Sequence, residues 1–165
     1  MMAACLLIAV AVGASRLCAV AVRATYAART RTLAAVLAAQ KMEQLRSLRW
    51  TRVWTGTPPV SVRVSDLTTD LSSAPPSGAG RGLLPSPAGT LDSSAASYAD
   101  YLNAAGTWAG HGVRPPDTAV YIRRWAIQPL ESNPDDVLVL QVIVTTTARS
   151  KVHECRLVSV LTRKP

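Results

Sequence analysis

Hydrophobic and polar positions divide the chain into three parts. Residues 1 to 22, MMAACLLIAVAVGASRLCAVAV, are apolar apart from Ser15 and Arg16. Residues 33 to 50, LAAVLAAQKMEQLRSLRW, carry charges but keep an apolar face. At helical spacing Ala34, Leu37, Ala38, Met42, Leu45 and Leu48 share one side, with Ala35, Ala39, Glu43, Arg46 and Trp50 on the other. Lys41 intrudes on the apolar arc. No Pro occurs before Pro58, and Gly13 is the one weak point before Arg52. Ala and Leu, both good helix formers, dominate throughout. One uninterrupted helix from about residue 2 to 50 is therefore expected, on the order of 70 Å long.

The pattern changes after Thr57. TPPVSVRV reads as a break followed by a short strand at 60–64. From Ser65 to Pro116 the Ser, Gly and Pro clusters are loop signals, with a weak helical turn predicted at DSSAASYADYLNAA, capped by Asp92 or Ser93. Three period-two runs follow: AVYIRRWAIQPL (119–130), DVLVLQVIVTTT (136–147) and VHECRLVSVLT (152–162). The intervening ESNPDD and ARSK read as turns, so the runs form an antiparallel meander. One face of that sheet needs cover, and residues 33–50 can supply it. The expected fold class is α+β: a long N-terminal helix packed on a small antiparallel sheet of three to four strands, with a long irregular connection. Four regions follow: the apolar half-helix 1–25, the amphipathic half-helix 26–52, the helix-to-sheet connection 53–118 and the sheet 119–165.

Charge sharpens the division. The formal net charge is +8. Residues 1–52 hold eight basic residues against Glu43 alone, a balance of +7, and the rest of the chain is nearly neutral. The basic character belongs to the helix. A basic helix suits nucleic acid or anionic lipid. The uncharged stretch before Arg16 is 15 residues, whereas about 20 are needed to span a bilayer alone. It has no basic residues ahead of it, which makes a poor secretory signal, although AVA at 19–21 offers a small-residue cleavage site. Cys5, Cys18 and Cys155 have no metal-like spacing and read as small apolar side chains.

Candidate chemistry is sparse. His111 and His153 are the two histidines; one sits in a GHG loop and the other beside a turn, where solvated surface is the simpler reading. No nucleophile elbow, phosphate loop, dinucleotide fingerprint or zinc motif appears. Asp135 and Asp136 could hold a cation, but in NPDD they read more simply as turn residues. Arg123 and Arg124 beside Tyr121 and Trp125 suggest stacking and charge for nucleic acid. Strand alternation sends the two arginines to opposite faces, so no single patch forms. No catalytic residue, metal or cofactor is expected, and nucleic acid is a disfavoured partner.

The run AARTRTLAAVLAAQKMEQLRSL (27–48), with Gln40, Lys41, Met42, Glu43, Leu45 and Arg46, resembles the N-terminal helix of type IV pilin-like proteins. The likeness is to minor pseudopilins of type II secretion and to minor pilins of pilus modification, strongest over 20–50 and weaker over 119–162. The family's basic leader, its Gly at the peptidase cut and its Glu near the mature start have no counterparts here; Met1 and Met2 resemble positions inside the apolar half-helix, so the expectation is that either the true start lies upstream or this copy has lost its processing site. What the resemblance implies is a non-enzymatic bacterial subunit whose Leu6, Leu7, Ile8, Val10, Val12, Leu17, Val20 and Val22 form a single-pass transmembrane segment before assembly. Leu33, Ala34, Leu37, Ala38, Met42, Leu45 and Leu48 are then expected to serve helix packing and assembly. Implied partners are other pilin or pseudopilin subunits, membrane lipid and an inner-membrane assembly platform. The implied destination is a periplasmic or cell-surface filament. The alternative is a secreted or membrane-anchored β-rich binding module with a signal peptide or signal anchor.

Overall fold

The computed structural model describes residues 2–48, 51–55, 60–64, 83, 85–95, 97–147 and 154–162. Helix α1 runs from Met2 to Ser47 as one element, the uninterrupted helix that the Ala-rich, Pro-free sequence predicts. A hairpin of β1 (Thr51–Thr55) and β2 (Val60–Val64) forms a separate two-stranded sheet. The main sheet comprises β3 (Ala99–Leu102), β4 (Trp108–His111), β5 (Tyr121–Leu130), β6 (Asn133–Thr146) and β7 (Glu154–Thr162). Its order is β4-β3-β5-β6-β7 and every pairing is antiparallel. The fold is the α+β arrangement expected: a long helix laid on a small antiparallel sheet, joined by an irregular connection.

Alternation along the strands decides which face the helix covers. Tyr121, Arg123, Trp125 and Ile127 of β5 are buried. Across the register Val144, Val142 and Leu140 of β6 stand opposite Arg123, Trp125 and Ile127. Next to them Cys155, Leu157 and Leu161 of β7 pack against the same core. From the helix come Ala34, Leu37, Ala38, Met42, Leu45 and Leu48, all buried. Each large apolar side chain taken from water here stabilises the fold by about 1.5–3 kcal/mol. The alanines contribute differently, because a methyl group lets the helix backbone come close to the sheet.

Two stretches depart from the sequence pattern. Residues 99–102, predicted as part of a helical turn, form β3. A weak local helical preference gives way there to backbone pairing with β5 on one side and β4 on the other. ESNPDD turns earlier than expected: the turn is Glu131–Ser132, and Asn133, Asp135 and Asp136 already belong to β6. The predicted turn at 148–151, His153, Trp50 and the connection 65–82 lie outside the described residues.

The expectation of a single-pass transmembrane helix is corrected. Among the described residues no helix is long and apolar enough to cross a membrane. Leu6, Leu7, Ile8, Val10, Val12, Leu17, Val20 and Val22 all lie on α1, but the run is cut by Arg16 and Arg23. A cation near the centre of a span costs about 2.5–3.5 kcal/mol on insertion scales.

Candidate functional site

Helix α1 has two halves with opposite surroundings. Every residue from Ala11 to Tyr26 is exposed, including Leu17 at 73%, Val22 at 68% and Tyr26 at 70%. From Thr30 onward the buried positions are 30, 34, 37, 38, 41, 42, 45 and 48, the stripe of a helix with one covered side. The sheet therefore holds the C-terminal half, and the N-terminal half projects past it. Thr30 marks the crossing point, where its hydroxyl interacts with the side chain of Tyr121 on β5.

The covered half is fixed by a buried polar cluster. Asp100 of β3 and Arg123 of β5 are direct cross-strand partners, and strand alternation turns both towards the helix. Arg123 grips Asp100 with two parallel bonds, Nε to Oδ1 at 2.8 Å and a terminal guanidinium nitrogen to Oδ2 at 2.7 Å. This forked arrangement is the strong form of a charge-assisted contact. Lys41 of α1 reaches the same Oδ2 at 3.3 Å. The second terminal nitrogen of Arg123 donates to the Leu37 carbonyl at 3.1 Å and to Gln40 Oε1 at 3.4 Å. Lys41 Nζ also sits 3.8 Å from the centre of the Trp125 ring, where the negative face of the indole favours a cation. Lys41, Asp100 and Arg123 are all fully enclosed. The cluster ties three elements, α1, β3 and β5, at a single point.

Lys41 is the residue that spoils the apolar arc in the sequence, and the cluster is its reason. Its counter-ion was not legible. Asp100 lies far along the chain, inside a stretch that reads as a helical turn, and nothing in its neighbours announces a buried carboxylate. Among the described residues the indole N–H of Trp125 is the buried side-chain polar atom without a hydrogen-bond partner. Packing against Lys41 and Tyr98 orients that ring.

The other candidates do not converge. Arg123 and Arg124 do face opposite ways: Arg123 is buried under the helix, and Arg124 donates to Ser94 Oγ at 3.2 Å on the outer side. His111 ends β4 and stacks on Trp108, with ring centroids 5.9 Å apart, which gives it a packing role. Asp135 is exposed and Asp136 half-buried near the start of β6. No group of three or more potential metal ligands occurs among the described residues. Cys18 is exposed on the projecting half-helix and Cys155 is half-buried in β7, both as free thiols. Leu33 is half-buried beside the core, while Ala34, Leu37, Ala38, Met42, Leu45 and Leu48 lie inside it. Comparison of the chain with protein families, with curated proteins and with solved structures finds no match.

Proposed function

We propose that this chain is a non-enzymatic structural subunit that assembles through the N-terminal half of α1, in the manner of minor pilins or minor pseudopilins. One observation carries the reading: a largely apolar half-helix projects from a head that leaves it uncovered, with Val12, Leu17, Val20, Val22 and Tyr26 all exposed. Water-exposed apolar surface of that extent marks an interaction site. The sequence resemblance over residues 20–50 and the helix-on-sheet fold point the same way. In this reading the head sets contacts on the outside of a periplasmic or cell-surface filament, and the half-helices form its interior.

Deleting residues 1–25 tests the proposal. The truncated chain should keep a folded head, because none of the core residues is removed. It should lose incorporation into sheared or sedimented filaments in a host that assembles them. Incorporation equal to that of the full chain would overturn the reading, as would a full-length chain that never enters such assemblies.

A further inference from the structure

We infer that the projecting half-helix is built to pair with a different subunit, one whose apolar helix carries carboxylates about seven residues apart, and not with a second copy of this chain. The inference rests on the assembly reading above and adds the identity of the neighbour. Arg16 and Arg23 are seven residues apart, so they lie within about 20° of one another around α1 and roughly 10 Å apart along it. Both are exposed, and neither makes an ion pair or hydrogen bond among the described residues. If neighbouring helices bury this surface, the two guanidinium groups go with it, and a buried cation requires an opposite charge.

No such charge lies on residues 11–26 themselves. Residues 1–42 contain no Asp or Glu. A second copy laid in register along residues 11–26 sets Arg16 and Arg23 beside their counterparts when parallel, and brings no carboxylate in either direction. A helix surface of lipid or of nucleic acid would need segregated faces. Here the large apolar side chains surround the helix: relative to Arg16, Val20 points at about 40°, Leu17 at about 100°, Val22 at about 240° and Tyr26 at about 280°. Such a rod is enclosed by other helices, with one acidic neighbour along the Arg16–Arg23 stripe. The many alanines between them, at 14, 19, 21, 24, 27 and 28, let that neighbour approach closely.

The test uses the full-length chain and a charge-reversed copy of it, Arg16→Glu with Arg23→Glu, as the acidic partner. Both positions are exposed and outside the core, so the head folds in either protein, which circular dichroism verifies. Differently labelled samples are titrated and energy transfer is read. Pairing of the native chain with the reversed chain should be at least about tenfold tighter than pairing of the native chain with itself, and should weaken with added salt. The neutral variant Arg16→Gln with Arg23→Gln should self-associate more readily than the native chain. Native–native pairing as tight as native–reversed pairing would overturn the charge matching and leave the assembly reading standing. Preference of the native chain for phosphatidylglycerol vesicles or duplex DNA over the reversed chain would also overturn it. Absence of association in every mixture would overturn this inference, and the assembly reading would still be decided by filament incorporation.

Discussion

Replacing Asp100 by Asn probes the polar cluster most directly. The side chain keeps its shape but loses its charge. Its remaining oxygen can still accept one bond from Arg123. Its new amide group is a donor facing other donors, the second guanidinium nitrogen now 2.7 Å from Oδ2 and Lys41 Nζ now 3.3 Å from it. Two cations then remain in an interior from which water is excluded. Breaking a buried ion pair by removing one partner costs about 3–5 kcal/mol. Lys41→Met is the informative comparison, since it removes a cation but leaves the forked Asp100–Arg123 pair intact and fills the same space with an apolar chain. Its expected cost is about 1 kcal/mol, chiefly the lost contact with the Trp125 ring. Equilibrium urea denaturation followed by circular dichroism and tryptophan fluorescence should separate the variants by at least about 2 kcal/mol. On heating, Asp100→Asn should lower the midpoint by roughly 10 °C for a chain of this size. Equal losses in the two variants, or an Asp100→Asn loss within about 1 kcal/mol of zero, would refute the view that one carboxylate neutralises the helix–sheet junction.

Other consequences can be measured on the same protein. Ala34→Glu and Ala38→Glu place a charge at positions 1% and 0% exposed, and each should cost at least about 3 kcal/mol, whereas Ala35→Glu on the open side should be nearly silent; equal behaviour of all three in denaturation would contradict the packing. Gly106 has φ +79° and its added Cβ would come 3.2 Å from Leu37 Cδ2, so Gly106→Ala should cost about 1–2 kcal/mol from the left-handed backbone alone, and an unchanged denaturation midpoint would show that the turn gives way freely. Burial raises the phenol of Tyr98 and, more than the opposing Thr30 contact and Arg29 charge lower it, that of Tyr121. The folded state therefore favours the neutral phenols: their contribution is full below the unfolded value of about 10 and is lost as pH rises through the folded values. Denaturation midpoints should be level up to that point and fall beyond it, with a shallower fall in Tyr121→Phe; a rise above pH 10 would reverse the sign.

The parts of this fold that could be seen in the sequence are those governed by simple periodicity. The unbroken helix follows from the absence of Pro and the excess of Ala, and β5 to β7 follow from apolar residues at every second position. The stripe from Ala34 to Leu48 showed its covered side, and alternation placed Arg123 and Arg124 on opposite faces. What stayed hidden depends on contacts between distant residues. β3 is four residues long and lies in Ser- and Ala-rich sequence, so its strand character comes from the partners on either side. β4 contains Gly110 and includes a register shift against β3, which erases alternation. Asp100 could not be joined to Lys41 because spacing carries no record of which cation a lone carboxylate will meet. The membrane-span expectation fails for a local reason: Arg16 and Arg23 interrupt the apolar run.

The continuity of α1 across the edge of the head sets a geometric phase between whatever grips its first half and the sheet that grips its second. Between Tyr26, fully outside, and Ala34, fully inside, there is no hinge residue: the sequence is AARTRTL, without Gly or Pro. The helix there transmits rotation as well as position. Adding one residue within 27–33 would turn the head by about 100° and lift it by about 1.5 Å relative to the exposed half, leaving both halves chemically intact. Adding seven would restore nearly the original direction with the head roughly 10 Å further out. The head's outward-facing surface is therefore addressed by a count of residues, and changes in that count would re-aim it before any contact within it was altered.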